Sequence, residues 1–321
     1  MRLHSVILCL AVFALAGCIQ QRGRAPQSAA PTPVRAALPA VASALTTKGV
    51  ATCQAEIGDI LAANFKGNVT ISVLTPESAQ GAGSIAIIPV GDTHPRITTL
   101  TYAPGAGGAC DLQTTAITAI GNGCGQLPAK FMSEAQIRTL HGKDLLQGGR
   151  TPTEGVLLKD INGTQCLSLA VNGSGPVQRA SLRPTTGDQA TATLLRAGVS
   201  RCTAEIAGAV AGNVKGAAQI EVLTSDAAAG SGSVAFWVEG DYHPKIHLLS
   251  YFERPGSACI LKMNTVAALS GACAAQPASL LQGGAITQRF GNDLMQGKAG
   301  TTRSFMFKDL DGKSCVALDF L

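Results

Sequence analysis

From Cys53 onward the chain switches between two hydrophobic spacings. Ile57, Ile60, Leu61 and Phe65 recur at helical spacing and predict an amphipathic helix; Ile206, Ala209, Val210 and Val214 repeat that stripe. NVTISV alternates, with Val69, Ile71 and Val73 on one face, and predicts a half-buried strand; AQIEV repeats it with Ala218, Ile220 and Val222. SIAIIPV and SVAFWV predict a more buried strand, RITTLTY and KIHLLSY another, and the segments after Cys110 and Cys259 a fourth. Ser133 and Gln136 match a capping box ahead of Ile137 and Leu140 and predict a second helix. GVLLKD and QCLSLAV predict a last hairpin. Its tight turns are Asp160-Ile161-Asn162-Gly163 and Asp309-Leu310-Asp311-Gly312, in which Gly supplies a positive φ. The order α-β-β-β-β-α-β-β implies an α+β domain with a mainly antiparallel sheet and two helices per copy.

That unit is written twice. An offset of 149 takes Cys53 onto Cys202, and the match runs ungapped to the C-terminus. CQAEI meets CTAEI, GAGSIA meets GSGSVA, GDTHPRI meets GDYHPKI, DLLQG meets DLMQG and KDINGTQC meets KDLDGKSC, with roughly forty of about 120 positions identical. The expected organisation is therefore two tandem copies of a small disulfide-bonded domain, at 46–172 and 194–321, joined by a linker at 173–193. Each copy is expected to close its own core.

Ahead of them, residues 18–45 are rich in Pro, Ala and Gln and read as a partly extended tether. Residues 1–17 read as a signal peptide: Arg2 is followed by an apolar run from Ser5 to Ala16, too short to span a bilayer. The run closes on Leu15-Ala16-Gly17-Cys18, which resembles a bacterial lipobox. The resemblance implies that Cys18 is acylated and becomes the mature N-terminus, so that lipid on Cys18 is the membrane attachment. Residue 19 is Ile rather than Asp, which in lipoproteins of Gram-negative bacteria points to the outer membrane.

Composition narrows the possible functions. Aromatic residues make up 4% of the chain, too few for the stacking platforms that bind sugars or single-stranded nucleic acid. The net charge of +5 owes much to Arg2 and to Arg22, Arg24 and Arg35 in the tether, so a nucleic-acid partner is not expected.

Of ten cysteines, Cys9 leaves with the signal peptide and Cys18 takes the lipid. The remaining eight fall at matching places in the copies, which in an exported protein reads as disulfides. Three pairings are open in each copy. The preferred one is Cys110–Cys124 with Cys53–Cys166, and Cys259–Cys273 with Cys202–Cys315. Zinc is the alternative, but no C-x2-C pair occurs, so no metal is expected.

The motif with the most chemistry is GDxHP, which supplies Asp92 and His94 in the first copy and Asp241 and His243 in the second. An Asp two residues from a His can orient an imidazole for acid–base work, whereas Gly, Asp and Pro between two strands also make a turn. The turn is the favoured reading. The Gly-rich GAGS and GSGS lead into strands rather than a helix and read as hairpin loops, not phosphate cradles. Both copies share Asp144/Asp293, Lys159/Lys308 and Asp160/Asp309; His141 and His247 have no counterpart His and read as surface residues, and Trp237 and Tyr242 are candidate contact residues if exposed. These readings converge on a cofactor-free binding or assembly module of the cell envelope that engages another envelope protein. The alternative is an envelope hydrolase or metal-dependent enzyme using Asp92, His94, Asp241 and His243.

Overall fold

A computed structural model describes residues 38–105, 108–121, 123, 124, 138–141, 145–151, 154–161, 165–172, 187–224, 230–238, 245–254, 257–276, 280, 281, 284–300, 303–310 and 312–321. The signal peptide, Cys18, Asp241, Tyr242 and His243 lie outside these residues.

The N-terminal half begins with helices α1 (Leu38–Thr47) and α2 (Gln54–Asn64). Strands follow as β1 (Val69–Thr75), β2 (Gly83–Pro89), β3 (Ile97–Pro104), β4 (Cys110–Gly121), β5 (Arg138–His141), β6 (Leu145–Thr151), β7 (Glu154–Ile161) and β8 (Gln165–Asn172). The C-terminal half has α3 (Gly187–Arg196) and α4 (Thr203–Asn213). Its strands are β9 (Ala218–Thr224), β10 (Ser231–Val238), β11 (Ile246–Arg254), β12 (Ser257–Ser270), β13 (Ala285–Phe290), β14 (Leu294–Ala299), β15 (Arg303–Leu310) and β16 (Ser314–Phe320). The fold is α+β and mostly antiparallel sheet. The sheets run β1-β2-β3-β4-β8-β7-β6-β5 and β9-β10-β11-β12-β16-β15-β14-β13, so each is two four-stranded meanders joined where the fourth strand pairs with the eighth.

Four expectations need correction, the last being the disulfide pairing. First, Leu140 stands in β5 and not in a second helix; Ser133, Gln136 and Ile137 lie outside the described residues. The matching stretch of the other half, β13, is also a strand. Second, the extra helix of each half comes earlier, so the end of the expected tether is α1 and the end of the expected linker is in α3. Ala-rich sequence suits a helix, and α1 stops at a Schellman cap. There Gly49 takes φ 79, its N–H reaches Thr46 O, and Val50 N–H returns to Leu45 O. Gly198 and Val199 repeat this cap on Leu195 and Leu194.

Third, the core is not closed within each half: each has a cluster of its own under its helices, and a further cluster is shared between the halves. On the outer face of β1–β3, Ile71, Ile85, Ile87, Leu100 and Tyr102 pack under Val41, Leu45, Ile57 and Leu61 of the helices. The opposite face of the sheet carries Leu74, Ala86, Ile88 and Ile97 of β1–β3 with Leu157 of β7 and Leu169 and Val171 of β8. These enter one cluster with Leu223, Trp237, Leu248, Phe290, Met306, Leu318 and Phe320 of the other half. The sheets thus meet face to face, with β1 against β15 and β9 against β7, and helices cover the outside. This is why β1 is buried on both faces instead of half-buried: Thr70 and Ser72 point towards the other sheet, and the Ser72 hydroxyl donates to Gln296 Oε1. Trp237 is fully buried in this shared core and is not a surface residue.

All eight described cysteines form disulfides, but their pairing differs from the preferred one. The bonds are Cys53–Cys110, Cys124–Cys166, Cys202–Cys259 and Cys273–Cys315. The reason lies in β4. Cys110 opens this twelve-residue strand and Cys124 follows its end, so at about 3.4 Å per residue the two sit far beyond disulfide reach. Helix α2 crosses the outer face and brings its N-cap, Cys53, to Cys110. The antiparallel pairing of Ile120 with Cys166 brings Cys124 to β8.

Candidate functional site: the GDxHP turn and the seam between the halves

The first GDxHP segment links β2 to β3. Gly91 takes φ 86, and Asp92 Oδ1 accepts the backbone N–H of His94 at 2.9 Å. Asp92 therefore shapes an Asx turn and does not orient the imidazole, which corrects the Asp92–His94 pairing. The ring turns instead to the other half, where Nδ1 lies 2.8 Å from Asp293 Oδ2. The same carboxylate oxygen accepts from Lys308 Nζ at 2.7 Å, and Lys308 also donates to Pro95 O at 3.1 Å. Asn292 N–H donates to Thr93 O at 3.0 Å. Gly291 makes this approach possible: its φ is +54, and an added Cβ would lie 2.7 Å from Thr93 O and 2.8 Å from Pro95 Cδ.

In the sequence Asp293 and Lys308 stand out only as charges shared with Asp144 and Lys159; the structure sets both against the turn. Lys308 is almost wholly buried, and Lys159 takes the matching place in β7 at 1% exposure. The His94 side chain, by contrast, is 69% exposed. His94 lines a cleft of about 190 Å³ together with Arg96, Thr118, Gln165, Asp293, Lys308 and Asp309. Chemically this is an imidazole held by a carboxylate among two cations, Arg96 and Lys308, and two carboxylates, Asp293 and Asp309, with Thr118 as the hydroxyl of the wall and no Cys or Ser among the described lining residues.

The remaining motifs are structural. Asp160 Oδ2 and Asp309 Oδ2 accept the N–H groups of Cys124 and Cys273 at 3.0 and 2.9 Å, and Asp309 Oδ1 accepts from Gly312, whose φ is 74. The last glycine of GAG and of GSG lies in a strand, where Gly83 pairs with Tyr102 and Gly232 with Tyr251; each ring lies over its glycine, so a Cβ would meet the phenol oxygen at 2.5 or 2.3 Å. Burial, reinforced by the charge and hydrogen bond of Glu77, pushes the Tyr102 phenol well up. Among the described residues no group of three His, Cys, Asp or Glu gathers to hold a metal, and no helix is long and apolar enough to cross a membrane.

His247 departs from its expected surface position. It is buried in β11, stacked on Phe236 with ring centroids 4.9 Å apart, and its Nδ1 meets the Thr265 hydroxyl at 2.9 Å. His141 stands in β5, and its side chain lies outside the described residues. Burial, and then the charge of Lys245, lower the pKa of His247 against an opposing pull from Asp319. The unfolded imidazole titrates near 6.5 and the folded one below it, so the unfolded chain binds more protons between the two values. The His247 contribution is then fully present above pH 6.5 and is lost as the pH falls towards the folded value. Urea midpoints measured from pH 7.5 to 5 should fall more steeply for the native chain than for His247→Gln. Parallel curves would refute this linkage.

Comparison with protein-family models, with curated proteins and with solved structures finds no match.

Proposed function

We propose that this chain is a lipid-anchored protein of the bacterial envelope, made of two tandem copies of one domain, that acts as a rigid binding or assembly module for another envelope protein. The observation that carries this reading is the use made of GDxHP. Asp92 is spent on a backbone N–H, and His94 on a carboxylate that also holds the buried Lys308, so the motif serves to join the halves. The lipobox-like Leu15-Ala16-Gly17-Cys18 and the four disulfides support an exported location. Since the halves share a core, the two copies present their outer faces at a fixed spacing, which suits an assembly role better than two swinging domains would.

Crosslinking in intact cells, with mass-spectrometric identification, should recover an envelope protein, and recovery should fall when Cys18→Ala abolishes fatty-acid incorporation. A Cys18→Ala chain that still takes up labelled fatty acid would refute the anchoring. The second reading, a hydrolase, is favoured by one observation: a carboxylate, Asp293, holds the Nδ1 of His94, and His94 lines the cleft. Replacing His94 and His243 together by Asn separates the two. The binding reading expects full complementation of a deletion strain. An acid–base role expects a loss of roughly 10²–10⁴-fold in a folded, abundant protein, which would overturn the non-enzymatic reading.

A further inference from the structure

A second cleft, of about 320 Å³, opens at the other end of the seam. Ser78 and Gln80 of the β1–β2 loop face Arg254, Ile260, Leu261 and Lys262 of the β11–β12 hairpin, and the Cys202–Cys259 disulfide adjoins it through Cys259. We propose that this cleft binds an aliphatic carboxylate, which deepens the binding reading above by naming the chemistry of what is bound.

Charge is the first argument. Arg254 and Lys262 both line the cleft, and no carboxylate does so among the described residues. The nearby Glu253 is committed to Arg201 at 2.7 Å. The Arg254 guanidinium is fixed across the seam by its bond to Gln80 O. The Lys262 ammonium has no hydrogen-bond or ion-pair partner among the described residues, and burial lowers its pKa. A partly desolvated ammonium beside a fixed guanidinium favours an anion. The walls are the second argument. Ile260, Leu261 and the disulfide are apolar, so the anion that fits carries a short hydrocarbon body, as an acidic side chain or a small dicarboxylate does.

The third argument is the contrast with the other half. At the offset of 149, Lys262 corresponds to Gln113 and Arg254 to Gly105. Gln113 is buried and reaches across the seam, its Nε2 donating to Gly232 O at 2.5 Å. One side chain thus stitches the seam at the first place, while two cations line a cleft at the second.

The test uses the full chain and glutarate, with glutaramide as the neutral control. Carbon-13 NMR should show saturable shifts of the Ile260 and Leu261 methyl groups with glutarate alone, and the Lys262 Cε signal should report an upward move of the ammonium pKa. Lys262→Gln, whose side chain the other half already accommodates at Gln113, should weaken binding about tenfold or more. Lys262→Arg should keep it, and Arg254→Gln gives a second variant on a separate strand. N-acetylglutamate methylamide distinguishes the source: binding of it as well as glutarate assigns the site to an acidic protein side chain, and binding of glutarate alone to a free small carboxylate. Absence of saturable methyl shifts, or equal shifts in the native chain and in Lys262→Gln, would overturn the proposal. Neither result bears on the crosslinking experiment, which uses no carboxylate probe.

Discussion

Expressed separately in an oxidising compartment, residues 38–172 and 187–321 are expected to give no cooperatively melting monomer. The shared cluster takes 10 of its 23 buried residues from the first half and 13 from the second. A large apolar side chain contributes about 1.5–3 kcal/mol on burial, so stripping one whole face exceeds the roughly 5–15 kcal/mol that holds a domain folded. The disulfides do not compensate, because all four lie within a half and staple the outer layers. Self-association of one half is the obvious escape, since β1 on β15 and β9 on β7 are mutually corresponding contacts. The two faces differ in volume, however. Trp237, Met306 and Phe320 stand where the first half has Ile88, Leu157 and Val171. Two C-terminal faces together would overpack, and two N-terminal faces would leave voids. Mixing the halves should therefore restore a 1:1 complex with a sharp melt, read by light scattering and circular dichroism. A folded, cooperative monomer from either half would refute the shared core.

The sequence made some of this legible and hid the rest for identifiable reasons. Alternation in NVTISV located β1 and its outer face, yet Thr70 and Ser72 looked solvated because small hydroxyl side chains suit water and a facing sheet equally. Composition held the missing clue, since 46% hydrophobic against 14% charged residues is more than one-sided sheets need. The capping box at Ser133 and Gln136 has no counterpart in the other half, where Gln282 and Ala285 stand. Requiring agreement at both places would have rejected that helix. The same test would have found α1 and α3, because Leu45, Gly49 and Val50 recur as Leu194, Gly198 and Val199. Disulfide pairing depends on which strand lies beside β4, and nothing local to the cysteines carries that information. The GDxHP turn was legible from its own backbone preferences. Its partners were not, because a repeat compares each half with the other and says nothing about contacts between them.

Lys308→Met is expected to destabilise the protein by about 3–5 kcal/mol, the typical consequence of removing one partner of a buried ion pair. The loss falls chiefly on Asp293. Its side chain is 14% exposed, its Oδ1 is buried without a partner, and its Oδ2 holds Lys308 and His94. Without the ammonium that carboxylate keeps one neighbour, the exposed His94, and the Pro95 carbonyl loses the donor it now has. Met preserves the length and most of the volume of the aliphatic stem, so the effect is electrostatic rather than a cavity. His94→Asn removes the outer member of the same group, and at 69% exposure its imidazole should be worth only about 0–1 kcal/mol. Pairing Lys308→Met with Asp293→Leu removes both buried charges and should recover part of the loss, because an apolar pair carries no desolvation cost. Urea unfolding at neutral pH measures the native chain, Lys308→Met, His94→Asn, Asp293→Leu and the double variant. A Lys308→Met penalty no larger than that of His94→Asn, or a double variant whose loss is the plain sum of the singles, would show that Asp293 and Lys308 do not act as a buried pair fastening the GDxHP turn to the opposite half.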